Sequence, residues 1–175
     1  MDFSTEIDIA LLIARVALGL TVFAHGYNKF FKGGKIEGTA GWFSSIGMRP
    51  GKMHAIFAAA GEMGSGLFLA FGLATSVAAL GIVGLMSVAA WVVHRHNGFF
   101  IIKEGWEYTF IIAVFAVIIA MIGPGDISLD YAIGINESID GWSGLIIAGG
   151  GGISAAALLL SIFYRPPPKP EEPAK

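Results

Sequence analysis

Two ionisable residues, Arg15 and Glu62, lie deep inside apolar stretches of this 175-residue sequence. A charged group at the centre of a bilayer costs at least about 3 kcal/mol, so such a residue is paired, hydrated or neutral. On helices beginning at about Ile7 and Ala55, their depths differ by roughly 8 Å, which an arginine side chain spans. The sequence therefore predicts an Arg15–Glu62 ion pair, and leaves open whether the pair fixes helix register or serves a functional site.

Other polar residues lie near the ends of the apolar stretches, towards one predicted membrane face. They are His25, Lys29, His54, His94, His96 and Glu107. A polar cluster fed by several helices is what a small ligand pocket requires, and its histidines and carboxylates could exchange protons with a ligand. Helix capping is the alternative for His25, and contact with lipid headgroups is the alternative for Lys29.

No metal site is predicted. His94 and His96 would lie on different faces of a helix, and no cysteine or nearby carboxylate completes a ligand set. The sequence contains no cysteine, which excludes disulfides, thiolate metal sites and thiol catalysis.

The composition indicates an integral membrane protein, since 55% of the residues are hydrophobic and only 14% are charged. A membrane-spanning helix needs about 20 mostly apolar residues. Five stretches meet that need, the fourth with help from its flanks: approximately residues 7–26, 55–74, 76–93, 108–122 and 145–164. The sequence therefore predicts an all-α, polytopic membrane protein.

The basic residues are segregated by this topology. Apart from Arg15, every one of the eleven Lys and Arg residues falls in segments on one predicted membrane face. By the positive-inside rule, the N-terminus is outside and the C-terminus is cytoplasmic. The expected location is a bacterial or archaeal plasma membrane.

Glycines mark two predicted packing sites. Gly61, Gly64 and Gly66 flank Glu62 and would let another helix approach closely. Gly149, Gly150, Gly151 and Gly152 weaken the fifth span as an isolated helix, so they predict close packing. The packing would be against the protein's own four-helix core or, preferentially, against another subunit.

The first basic loop contains a possible short helix. Thr39 would cap its start, and Gly47 and Pro50 would stop it. A loop with a few buried aromatic residues is the alternative.

The sequence resembles the DoxX family, within the wider DoxX/DoxD-like membrane proteins. The resemblance extends from about Ile9 to Tyr131 and rests on the following motifs: Arg15, then His25-Gly26 with Lys29, Gly61-Glu62 with Gly64 to Gly66, His94, His96, Gly98-Phe99-Phe100, Gly105 to Tyr108, Gly123-Pro124-Gly125 and Ser128-Leu129-Asp130. It implies a four-helix DoxX-like membrane domain at residues 1–131. An extracytoplasmic loop and an additional fifth helix would follow at residues 132–164, and a Pro-rich, disordered cytoplasmic tail at residues 165–175.

The resemblance implies a role in membrane oxidoreductase assemblies. Related DoxD-type subunits take part in quinone-linked thiosulfate oxidation, and DoxX proteins are linked to oxidative-stress complexes with soluble enzymes. The first hypothesis is therefore an accessory or scaffold subunit, with a quinone-reactive oxidoreductase subunit as the alternative and a small-solute or proton transporter as a third. Whether the chain is itself an enzyme stays open. The expected partners are the lipid bilayer and membrane or soluble oxidoreductase subunits, with a homo-oligomer also open and no nucleic acid; quinone is the one candidate cofactor.

Overall fold

The computed structural model describes residues 3–167. Residues 168–175, which make up most of the tail predicted to be disordered, lie outside this range. The described residues form helices at the following positions: α1 (Phe3–Phe31), α2 (Lys35–Ser45), α3 (Gly51–Phe71), α4 (Thr75–Asn97), α5 (Glu107–Ile122), α6 (Leu129–Ile133), α7 (Asn136–Ile139) and α8 (Gly141–Phe163). The prediction of an all-α, polytopic membrane protein is confirmed.

Within residues 3–167, four helices are long and apolar enough to cross a membrane: α1, α3, α4 and α8. The remaining predicted span corresponds to α5, which has 16 residues and is about 24 Å long. This is shorter than the ~30 Å hydrocarbon core of a bilayer.

The long helices alternate in direction. At one end of the bundle, the Arg165 N–H donates a 2.8 Å hydrogen bond to the Gly47 carbonyl, which ties the end of α8 to the α2–α3 loop. At the other end, the Asp126 N–H donates to the Asp8 carboxylate at 2.9 Å. We call the first the basic end (residues 27–54, 94–107 and 164–167) and the second the acidic end (residues 3–8, 72–75 and 123–140).

Helices α1 and α3 pack through glycine. A Cβ at Gly19 would collide with the Gly66 backbone carbonyl, and a Cβ at Gly26 would collide with the Ala59 carbonyl. This close approach fixes the register of the two antiparallel helices. Gly66 thus packs against the backbone of α1, whereas no backbone of another helix lies beside Gly61 or Gly64.

The glycines of α8 also pack within the chain. A Cβ at Gly151 would lie 2.8 Å from Leu80 Cδ1, and one at Gly152 would lie 2.7 Å from Val83 Cβ, both on α4. These two residues therefore do not provide the contact with another subunit that the sequence predicted. Gly150 has no neighbour within 4 Å that an added Cβ would meet.

The first basic loop does contain a helix, although its start differs from the prediction. Helix α2 begins at Lys35, and Thr39 lies inside it, donating its hydroxyl to the Lys35 carbonyl at 2.9 Å. It stops before Gly47, where φ is +91°, a conformation that favours glycine.

Candidate ligand-binding cavity

A cavity of about 540 Å³ lies among α1, α2, α3, α4, α5 and α8. Its polar lining residues come from α1, α3, α4 and α5: His25, Lys29, His54, Glu62, Ser65, His94 and Tyr108. In contrast, α2 and α8 contribute only apolar residues: Trp42, Phe43, Ala155, Ala156 and Leu159. The cavity is therefore mostly apolar, and its few polar groups come from four of the six helices.

An ion pair between Lys29 and Glu62 lies among these polar groups. The Lys29 ammonium donates to both carboxylate oxygens of Glu62, at 2.7 Å to Oε1 and 2.6 Å to Oε2. The Lys29 side chain is 22% exposed and that of Glu62 is 9% exposed. Since water is largely excluded, each charge depends on the other for compensation.

The predicted Arg15–Glu62 pair is wrong. The contacts of Gly19 with Gly66 and of Gly26 with Ala59 place Arg15 level with Ala70, eight residues further along α3 than Glu62. Eight residues of helix correspond to about 12 Å. The prediction compared only the depths of the two residues in the membrane and did not include the register of α1 against α3.

Arg15 instead joins a buried network nearer the acidic end. Its guanidinium donates to the carbonyls of Ala70 at 3.2 Å and Ile127 at 2.6 Å, and it lies within electrostatic range of Asp130. Both Arg15 and Asp130 are fully buried. The guanidinium thus ties the end of α3 to the loop before α6, outside the cavity.

Asp130 caps helix α4 from α6. Its carboxylate accepts from the N–H groups of Ala74 at 2.6 Å and Thr75 at 2.9 Å. The first N–H groups of a helix have no partner within the helix, and negative charge is favourable there. Arg15 and Asp130 therefore link neighbouring helices at the acidic end, and we call these two residues with their contacts the clasp.

A histidine–tyrosine pair lies at the end of the cavity nearer the α4–α5 loop. His94 is the last residue of a π-helical turn (Ala90–His94) of α4. Its Nδ1 is 2.6 Å from the Glu104 carbonyl and its Nε2 is 2.8 Å from the Tyr108 hydroxyl. Because a carbonyl only accepts, Nδ1 carries a proton, and in the neutral ring Nε2 accepts from Tyr108. The sequence did not single out Tyr108 as a site residue, although Tyr108 begins the fourth predicted span and lies in one of the motifs of the family resemblance.

The other predicted site residues divide between the cavity and its surroundings. His25 lines the cavity and lies within electrostatic range of Glu62. His96 lies outside, where its Nε2 accepts from Arg95 Nε at 3.0 Å. Glu107 also lies outside, and its carboxylate accepts from the Ile101 N–H at 2.8 Å. The cavity thus gathers His25, Lys29, Glu62 and His94, but not Arg15, His96 or Glu107.

His54 closes the cavity at the basic end. Its ring contacts Phe163 edge-on with centroids 5.1 Å apart, and lies 6.2 Å from the Phe43 ring. Its Nε2 is buried with no hydrogen-bond partner among the described residues. Within residues 3–167, no three His, Asp or Glu side chains come together as metal ligands.

Residues 10–95 match the model of the DoxX family. The matched segment contains Arg15, Lys29, Glu62 and His94, and it ends before Tyr108 and before α5 and α8. No curated protein and no solved structure matches the chain. With apolar helices long enough to cross a membrane and this family match, the protein is a multi-pass membrane protein with a DoxX domain match at residues 10–95.

Proposed function

We propose that the protein is a membrane subunit of an oxidoreductase assembly and that it binds a quinone in the cavity. The observation that carries the proposal is the cavity itself. Its volume of about 540 Å³ lies within the ~300–1,000 Å³ typical of small-molecule sites, which are mostly apolar with a few polar groups that orient the ligand. A quinone has a polar headgroup that these few polar groups could orient, and an apolar tail that suits the rest of the lining.

Lys29 is the residue we assign to the quinone headgroup. Quinone carbonyls accept hydrogen bonds, and an ammonium group has three donors. Two of them point to Glu62, at 2.6 and 2.7 Å, and one remains for a ligand carbonyl. Glu62 therefore positions the donor as well as compensating its charge.

Tyr108 and His94 are the residues we assign to proton delivery. Reduction of a quinone to a quinol consumes two electrons and two protons. In each transfer, the Tyr108 hydroxyl would give its proton to a quinone oxygen and take the Nε2 proton of a doubly protonated His94. Two transfers, with His94 taking up a proton from water after each, would supply both protons. The electrons would come from a redox partner subunit, in keeping with the assemblies that the DoxX resemblance implies.

Quinone binding can be measured through native tryptophan fluorescence, since Trp42 lines the cavity. We expect a prenylated benzoquinone or naphthoquinone to quench the fluorescence of the detergent-purified protein saturably. Glu62→Gln releases the ammonium and should weaken binding by about tenfold or more, or 1.4 kcal/mol. Glu37→Gln is the matched control, because Glu37 forms an exposed ion pair with Lys52 at 2.7 Å and lines no part of the cavity.

A second pair of variants tests the location of the ligand. Gly61 lines the cavity, and an added Cβ would meet only Leu85 Cδ1, at 3.7 Å. Gly61→Leu should therefore fold but fill part of the cavity and weaken quinone binding. Gly64→Leu is the control, since Gly64 has open space around it and lies outside the cavity lining.

Unsaturable quenching of the wild-type protein, or equal affinity in Gly61→Leu and wild type, would refute the quinone site. An accessory subunit without a ligand would then be the better hypothesis. It is tested by mass spectrometry of the chains that co-purify in mild detergent.

A further inference from the structure

The loop between α4 and α5 exposes consecutive large apolar side chains at the basic end. Their exposed fractions are Phe99 39%, Phe100 64%, Ile101 51% and Ile102 90%. Runs of three or four exposed apolar residues are unfavourable in water unless they serve a function, and contiguous apolar patches mark contacts with a membrane or a protein.

Most of the backbone N–H groups in the second half of this loop are bonded within the chain. Its N–H groups donate as follows: Ile101 to the Glu107 carboxylate, Lys103 to the Phe100 carbonyl, Glu104 to Ile101, Gly105 to Phe100, Trp106 to Gly98 and Glu107 to Phe99. A segment that leaves water must satisfy its backbone polar groups internally. From Ile101 to Glu107, the loop therefore presents its apolar side chains with most of its backbone donors satisfied.

Helix α5 is too short to cross the bilayer alone. It begins at Glu107 and ends at Ile122, which leaves it about 6 Å short of a ~30 Å hydrocarbon core. The apolar loop precedes Glu107 directly. Its side chains lie where they would supply the missing apolar thickness.

The residues around the loop suit the boundary between lipid chains and headgroups. Trp91 and Trp106 flank it, and tryptophan is enriched at membrane interfaces. The Arg95 guanidinium lies 4.2 Å from the centroid of the Trp91 ring, and Lys103 follows the apolar run. Both cations could reach anionic headgroups while their stems stay among apolar groups.

We propose that residues 98–106 insert into the bilayer interface at the basic end of the bundle. Phe100 and Ile102 enter the boundary between headgroups and acyl chains to a depth of roughly 5–10 Å. The same loop supplies the Glu104 carbonyl that bonds His94, so lipid contact also supports the cavity residue that orients Tyr108.

The absence of cysteine from the chain permits a test with single cysteines carrying an environment-sensitive fluorophore. The positions are Ile102, Val114 on the exposed face near the middle of α5, and Pro167 beyond α8. In lipid vesicles, we expect a blue-shifted emission at Ile102 and Val114 relative to Pro167. Quenchers attached near the headgroups should quench Ile102 most, and quenchers deep in the acyl chains should quench Val114 most.

Phe100→Cys provides a second reporter if the label at Ile102 perturbs folding, which size-exclusion profiles would reveal. Water-like emission at both Ile102 and Phe100 in vesicles would overturn the proposal. Water-like emission in vesicles combined with a blue shift in native membranes would also overturn it, and would assign the loop to a protein partner. The test is independent of quinone binding.

Discussion

Lys29 Nζ lies 2.6 Å from Glu62 Oε2 and joins the last turn of α1 to the middle of α3. The tight α1–α3 packing at Gly19 and Gly26 sets this register. Glu62 is level with a point on α1 that lies about two turns closer to the acidic end than Lys29. The long Lys29 side chain spans this distance along the helix. Within the described residues, this is the only ion pair found at the cavity. Its geometry therefore depends on backbone packing at other positions of the same two helices.

Removing one member of the Lys29–Glu62 pair should destabilise the protein more than removing both. Lys29→Met leaves a buried carboxylate without compensation, at a cost of ~3–5 kcal/mol in soluble proteins. We expect Lys29→Met to lower the thermal unfolding midpoint in detergent more than the Lys29→Met/Glu62→Gln double variant does. The exposed Lys52–Glu37 pair provides the control, because removing Lys52 should cost no more than about 1 kcal/mol.

Arg15 should couple energetically to Asp130 and not to Glu62. Its guanidinium donates hydrogen bonds to the carbonyls of Ala70 and Ile127 and interacts electrostatically with the Asp130 carboxylate. Double-mutant cycles on thermal stability should give additive losses for Arg15→Leu with Glu62→Leu. The cycle of Arg15→Leu with Asp130→Asn should depart from additivity by at least about 0.5 kcal/mol. The reverse pattern would contradict the assignment of Arg15 to the clasp at the acidic end.

The span positions and the membrane class could be predicted from the sequence because hydropathy and segment length reflect transfer of whole helices into lipid. The register between packed helices could not be predicted in this way. The sequence pairs Arg15 with Glu62 by their similar depth in the membrane, but the rotation and offset of α1 against α3 depend on which glycines meet. Gly66 and Gly61 look alike in sequence, yet one packs against the backbone of α1 and the other lines the cavity.

Tyr108 shows a second limit of sequence reasoning. It lies 14 residues after His94, across a loop closed by hydrogen bonds from Gly105, Trp106 and Glu107. Aromatic residues at span ends are ordinary in membrane proteins. Nothing in the local pattern separates an aromatic residue that contacts lipid headgroups from one that bonds a histidine in a cavity.

Asp140 should make stability depend on pH at the acidic end. Burial and the nearby Asp130 carboxylate raise the pKa of Asp140 from 3.8 to about 6. Because the folded state holds this proton more tightly than the unfolded state, stability should fall as pH rises from about 4 to about 6 and then level off. Asp140→Asn should remove this part of the dependence. Thermal unfolding between pH 4 and pH 8 would show it, with the exposed Asp126→Asn as a control that keeps the wild-type slope.

The orientation in the membrane is the last prediction. The basic end collects Lys and Arg from three separate segments, whereas the acidic end carries Asp8, Asp126, Asp130 and Asp140. Since short basic loops stay in the cytoplasm, the acidic end should face outwards. In intact cells, single cysteines at Ser4 and Ser138 should react with an impermeant thiol reagent, and one at Ala174 should react only after lysis. The chain has no other cysteine to obscure the result. Reaction at Ala174 in intact cells with protection at Ser138 would invert the topology, and reaction at both would mean that α8 does not cross the membrane.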